Sequence, residues 1–176
     1  MRIELTQLFA PIPERIKLLY DSSFPKHEKR HWQQLELLIA QGKLQLLEIK
    51  SEDVFAGFIT YWQLQECIFV EHFAMHPAVR GKGKGSNAMK LLATQFNTIV
   101  LEAEPASTSE EARKRLAFYK RLGYKIFHSL YFQPAYQSGH QPEKMELLYY
   151  NSQTTVLSFE KLKQEIYCTV YNTGCQ

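Results

Sequence analysis

Cysteine is scarce in this chain of 176 residues: there are three, Cys67, Cys168 and Cys175, with no C-x-x-C pair. A disulfide framework and a zinc site of the usual spacing are therefore not indicated, and the simplest expectation is reduced thiols in a cytoplasm. Long hydrophobic runs are missing, so no segment approaches membrane-spanning length. The opening Met1-Arg2-Ile3-Glu4-Leu5 has charges where a signal peptide would be apolar. A strong charge imbalance is missing as well. The formal net charge of +3 permits an anionic ligand but does not mark a nucleic-acid binder. Neither an internal repeat nor a low-complexity linker divides the sequence.

Apolar residues, by contrast, are plentiful. They make up 45% of the chain and aromatics 13%, and the length suits one domain with a substantial core. Their spacing predicts the elements. Residues 2–8 alternate weakly, as a short strand does. Helices are expected over 11–20 and 26–41, the second stopped by Gly42. Segments 44–49 and 54–64 read as strands joined by the turn Lys50-Ser51-Glu52-Asp53, and 67–75 continues the sheet as a third consecutive strand. A helix over 86–96 and a strand over 98–102 follow. Thr108 with Glu111 three residues on makes a capping-box pattern for a helix with Ala112, Leu116 and Tyr119 on one face, ended by Gly123. Strands are expected over 124–129 and 144–150. A last amphipathic helix covers 158–171, with Phe159, Leu162, Ile166 and Val170 apolar.

Between the strand ending at Met75 and the helix over 86–96 lies His76-Pro77-Ala78-Val79-Arg80-Gly81-Lys82-Gly83-Lys84-Gly85-Ser86. A glycine-rich loop that opens a helix after a strand suits a phosphate: glycines let backbone N–H groups approach an anion, and the helix N-terminus adds partial positive charge. Arg80, Lys82 and Lys84 suit a ligand with several negative charges, such as a pyrophosphate. The plain alternative is a basic surface turn. The run is not a nucleotide P-loop, and glycines at 81, 83 and 85 do not make a dinucleotide G-x-G-x-x-G.

What the run does contain is R-x-x-G-x-G, as Arg80, Gly83 and Gly85, preceded by His76-Pro77. This resembles the acyl-CoA pyrophosphate loop of the GNAT acetyltransferase superfamily. The segment Leu116-Ala117-Phe118-Tyr119-Lys120-Arg121-Leu122-Gly123-Tyr124-Lys125 is similar to that superfamily's second signature, a helix ending in F-Y-x-x-x-G-[FY]. The element order also matches its topology over about 1–150. The resemblance implies an α/β (α+β) fold, with a mixed, mostly antiparallel central sheet flanked by helices and an extra C-terminal helix. Residues 1–150 would form the acyltransferase domain. Residues 151–176 would extend it, packed on the same domain or on a partner in a homodimer.

The same resemblance implies acetyl-CoA as co-substrate and a primary amine, on a small molecule or a peptide, as acceptor. The acetyl group would pass directly, with no metal, no covalent enzyme intermediate, no nucleic acid and no membrane. Backbone N–H groups over Gly81, Lys82, Gly83, Lys84, Gly85 and Ser86 would clamp the diphosphate, with charge from Arg80. The main chain of Phe73, Ala74 and Met75 would pair with the pantetheine arm as a substitute strand.

An alkylammonium must lose a proton before it attacks the thioester. Alternation puts Phe69, Glu71, Phe73 and Met75 on one face of their strand, and a Glu among large apolar residues is costly unless paired or used. Glu71 is the first candidate base, its alternative role being a buried ion pair with a Lys or Arg. Glu102 on the next strand is the second candidate, and Glu104 is read as solvated at the strand end. His72 should face away, as a core or interface histidine. Tyr119 occupies the place of the family's tyrosine that protonates the departing thiolate, its alternative role being an ordinary core aromatic. The sequence departs from the family at Ala112, where many members have Asn, and at Arg115, where they have Ala. The Asn contact to CoA is thus absent or replaced.

The acceptor pocket is expected from the first two helices and the 130–142 loop, including Tyr131, Pro134 and Tyr136. Trp32, Tyr61 and Trp62 are further aromatic walls, and all of these residues serve equally as packing. Cys67 begins a buried strand without an activating neighbour and is set aside as a nucleophile. Two other functions compete: a non-catalytic acyl-CoA-binding or sensing module, and nucleic-acid binding through the basic loop, which the low net charge disfavours.

Overall fold

The alternating and helical patterns resolve into eight strands and five helices in the computed structural model, which describes residues 2–26, 29–137, 139–153 and 157–175. Two compact units emerge, Met1–Gln63 with Val70–Gln95, and Leu64–Phe69 with Phe96–Gln176. Among the described residues no helix is long and apolar enough to cross a membrane.

In the first unit the strands β1 (Ile3–Leu8), β2 (Leu44–Ser51), β3 (Val54–Gln63) and β4 (Ile68–Met75, here from Val70) lie in sequence order. The β1–β2 and β2–β3 pairs are antiparallel. Glu52 and Asp53 turn the β2–β3 hairpin with φ of 51° and 62°, the left-handed geometry that matches strand twist. A Cβ on Gly57 of β3 would stand 2.2 Å from the Ala74 carbonyl oxygen, so the approach of β4 demands glycine there. The His76 N–H donates to the Ala56 carbonyl at 2.8 Å and fastens the end of β4.

The helices of this unit each bury one stripe. Helix α1 (Glu14–Ser23) buries Ile16, Leu19 and Tyr20, α2 (Trp32–Ala40) buries Leu35 and Ile39, and α3 (Lys84–Gln95) buries Ala88, Met89 and Leu92. The second helix starts at Trp32 rather than at residue 26; residues 27 and 28 of that expectation lie outside the described residues. Specific partners hold the segment before it in place. The Lys29 ammonium sits 2.8 Å from the Asp21 carboxylate, Arg30 reaches Glu71, and the Tyr20 hydroxyl donates to the Arg30 carbonyl.

In the second unit β5 (Thr98–Ala103) pairs antiparallel with β8 (Glu143–Asn151), from Thr98 opposite Asn151 to Ala103 opposite Glu146. The strand expected over 124–129 is only two residues long, β6 (Lys125–Ile126). The chain leaves the ladder after Phe127, whose ring packs on Tyr149 and Phe159. It rejoins β8 as β7 (Tyr131–Gln133), so the expected 130–142 loop opens as a strand and Tyr131 is fully buried.

Helix α4 (Glu110–Arg121) is capped by Ser109, whose Oγ accepts from the Ala112 N–H at 3.0 Å; the cap therefore falls one residue after the expected Thr108. Helix α5 (Phe159–Thr169) buries Leu162 and Ile166. Beyond it Asn172 (φ 54°) and Gly174 (φ 68°) turn the chain back, bringing Cys175 to Cys168 with 5.0 Å between their Cα atoms. The two form a disulfide, which corrects the expectation of three reduced thiols. Cys67 is buried and takes no part in that disulfide, and burial pushes its thiol up to about 12.

Candidate active site

The loop between β4 and α3 takes its shape from its own residues. The imidazole Nδ1 of His76 accepts from the Ala78 N–H and caps a short 3-10 turn, Pro77–Val79. Arg80 Nε donates back to the Met75 carbonyl at 2.8 Å, and Lys82 Nζ to the Ala78 carbonyl at 3.1 Å. Gly81 and Gly83 both have φ of 73° with open space around them, so the loop depends on residues free to adopt left-handed backbone. The Gly83 carbonyl accepts the first intrahelical bond of α3, from the Asn87 N–H at 3.1 Å. The N–H groups of Lys84, Gly85 and Ser86 therefore precede any intrahelical acceptor and form the electropositive end of the helix. At Gly85 a Cβ would lie 3.3 Å from Met75 Cγ and 3.4 Å from Phe73 Cζ, so glycine lets this helix end sit close on β4.

On β4, Phe73, Met75 and Glu71 are half-buried while Ala74 and His72 are buried, as alternation implied. Glu71 is the informative residue. Its Oε1 accepts from Arg30 Nε at 2.8 Å and its Oε2 from the Trp62 indole N–H at 3.0 Å. The side chain is fully withdrawn from solvent although the residue as a whole is half-buried, so the accessible atoms belong to its main chain. His72 does not turn away as expected: its Nδ1 lies 3.8 Å from Glu71 Oε2 as well as 3.2 Å from Thr60 Oγ1, and its ring is edge-on to Phe24 and Tyr20.

In the second unit the half-buried Glu102 lies opposite Leu147 on β8, and Tyr131 lies opposite Met145 two positions away. That register puts the Tyr131 hydroxyl on Glu102 Oε1. The Tyr171 hydroxyl donates to Oε2 at 2.6 Å and accepts from Gln133 Nε2 at 2.9 Å, with the Tyr136 hydroxyl 3.4 Å away. Burial first, and the charge of Glu102 next, push both Tyr131 and Tyr171 far above the usual phenol range. Both therefore stay protonated and donate.

Tyr119 is buried on the inward face of α4 near its C-terminus, against Phe118 and Tyr124. Burial pushes its hydroxyl up to about 12, with Arg115 pulling weakly the other way. Arg115 itself reaches Glu104 at 3.0 Å, so Glu104 is paired rather than simply solvated. Gly123, at φ 89°, ends the helix.

A family profile described as Acetyltransferase (GNAT) family matches residues 6–124. The chain belongs to the GNAT acetyltransferase family. Among solved structures, a GNAT-family protein from Bacteroides thetaiotaomicron is 28% identical, with a TM-score of 0.89 over 97% of this chain and 99% of that one. An acetyltransferase from Bacillus subtilis, solved in complex with CoA, is 16% identical over 85% of this chain and 97% of its own, with a TM-score of 0.55. YncA from Salmonella typhimurium, solved with acetyl-CoA, is 11% identical over 90% and 98%, with a TM-score of 0.61. These last two likenesses are of fold. No curated protein matches the sequence. The mixed, mostly antiparallel α/β architecture of the GNAT family is the one its two motifs implied.

Arg30, Trp62, Tyr131 and Tyr171 complete the two carboxylate clusters. Trp62 and Tyr131 stand out in sequence only as aromatics. Arg30 and Tyr171 carry no local signal, because their partners lie 41 and 69 positions away.

Proposed function

We propose that this chain is an N-acetyltransferase that moves an acetyl group from acetyl-CoA directly to a primary amine of a small molecule or peptide. The observation that carries the reading is the β4–α3 loop, where left-handed glycines lead into a helix whose first N–H groups have no intrahelical acceptor. A diphosphate suits that donor set, with Arg80, Lys82 and Lys84 adding charge. The main chain of β4 is accessible at Glu71, and the strand's following residues Phe73, Ala74 and Met75 are those that would pair with the pantetheine arm.

Of the two candidate carboxylates, Glu102 accepts the proton in this reading. The guanidinium of Arg30 balances the charge of Glu71, whose side chain is closed to solvent. The phenols on Glu102 hold it without adding positive charge. Glu102 takes the ammonium proton, the amine nitrogen attacks the thioester carbonyl, the C–N bond forms and the C–S bond breaks. Tyr119, protonated at neutral pH, gives its proton to the CoA sulfur, and the second nitrogen proton leaves to solvent as Tyr119 is reprotonated.

A free-thiol assay of the full chain with acetyl-CoA and a panel of amines tests this. CoA release that needs both acetyl-CoA and an amine is the expected result. Acetyl-CoA binding with no turnover across the panel would favour a non-catalytic sensing module instead.

A further inference from the structure

The family match ends at residue 124, but the carboxylate of Glu102 is held from beyond it. One oxygen takes the hydroxyl of Tyr131 from β7. The other takes Tyr171, two residues past the end of α5.

Tyr171 is itself held on several sides. Gln133 donates to its hydroxyl, Tyr136 packs on its ring at 5.3 Å, and the Cys168–Cys175 disulfide closes the chain segment that contains it. Its neighbour Tyr167 shows what an ordinary packing tyrosine does here: that hydroxyl donates to the backbone carbonyl of Phe132. Tyr171 instead donates to an ionisable side chain. Glu102 faces the phenols of Tyr131, Tyr167 and Tyr171 electrostatically, and the Tyr136 hydroxyl lies beside that of Tyr171.

We propose that Tyr171 is a positioning residue, by which the C-terminal segment fixes Glu102, together with Tyr131, in the orientation and ionised form that receives the acceptor's proton. The proposal rests on Glu102 being the proton acceptor. Two directional donors on its two oxygens leave the carboxylate one orientation. Hydrogen bonds to a charged acceptor favour that charged form, so losing one raises the pH at which the carboxylate ionises.

Carboxyl titration by NMR of the full chain, with carbon-13-labelled glutamate, reads this directly. The Glu102 signal is the one missing from Glu102→Gln. In Tyr171→Phe its midpoint should rise by about one pH unit, and likewise in Tyr131→Phe. Tyr167→Phe, whose hydroxyl serves a backbone carbonyl, should leave it in place. The ascending limb of the acetyl-transfer rate should move with the midpoint. An unmoved midpoint in Tyr171→Phe overturns the positioning role, and Tyr131→Phe supplies an independent check should that variant fold poorly. A pH–rate curve that Glu102→Gln leaves unchanged removes Glu102 as proton acceptor. A curve altered by Glu102→Gln but not by Tyr171→Phe removes only the role of Tyr171.

Discussion

Arg30 and Glu71 meet with Nε and Oε1 2.8 Å apart, their side chains 7% and 0% exposed. The guanidinium also lies over the Trp62 ring, 5.4 Å from its centroid, while the indole N–H takes the second carboxylate oxygen. The pair ties the segment before α2 to β4, which accounts for a charged residue on an otherwise apolar strand. A buried pair of this kind gains little over an apolar replacement, because each ion loses its hydration. Removing one partner is different, since the other charge is then stranded.

Arg30→Met should therefore destabilise the protein by about 3–5 kcal/mol, measured by urea unfolding. Adding Glu71→Leu in the same chain should recover most of the loss. A loss under about 1 kcal/mol for the single variant would mean the pair behaves as a surface bridge.

Tyr119→Phe should keep the fold and the affinity for acetyl-CoA while lowering turnover roughly ten-fold or more. Wild-type turnover would remove Tyr119 from the chemistry. The raised hydroxyl also has a consequence for stability. Its folded value of about 12 exceeds the unfolded 10.0, so its contribution is complete below pH 10 and is lost as pH rises through 12. Unfolding midpoints followed into that range should fall, and fall less in Tyr119→Phe.

The disulfide closes a short ring, with Cys168 and Cys175 seven positions apart. Loop-closure entropy for a ring of that size is worth about 2–3 kcal/mol. Cys175→Ser should lose about that much in urea, and the wild type should lose a similar amount in dithiothreitol. Wild-type protein indifferent to the reductant would show that the ring contributes no stability.

The legible parts of this chain are those set by local backbone demand. Gly81 and Gly83 announce a loop that must pass through left-handed conformations, and Gly123 announces the end of α4 after Tyr119. The apolar residues around it on β4 mark Glu71 as a carboxylate that needs a partner, although strict alternation misses the approach of His72 Nδ1 to within 3.8 Å of it. What the sequence conceals is settled by contacts that no motif marks. The capping-box pattern of Thr108 and Glu111 points one residue short of the actual cap, Ser109, and nothing local marks where the chain leaves β8 after β6 and returns to it as β7. Pairing of Cys168 with Cys175 depends on the turn at Asn172 and Gly174, which composition does not reveal.

Diphosphate capture by the β4–α3 loop is the claim on which acetyl transfer depends, and calorimetric titration of acetyl-CoA into the full chain tests it most directly. At Gly83 the backbone has φ of 73° with open space beyond it, so Gly83→Glu brings both a strained backbone and a negative charge to the helix N-terminus. Saturable binding to the wild type, weakened about 100-fold or more in Gly83→Glu while its unfolding stays cooperative, is the predicted result. Equal affinity in the two proteins would contradict it.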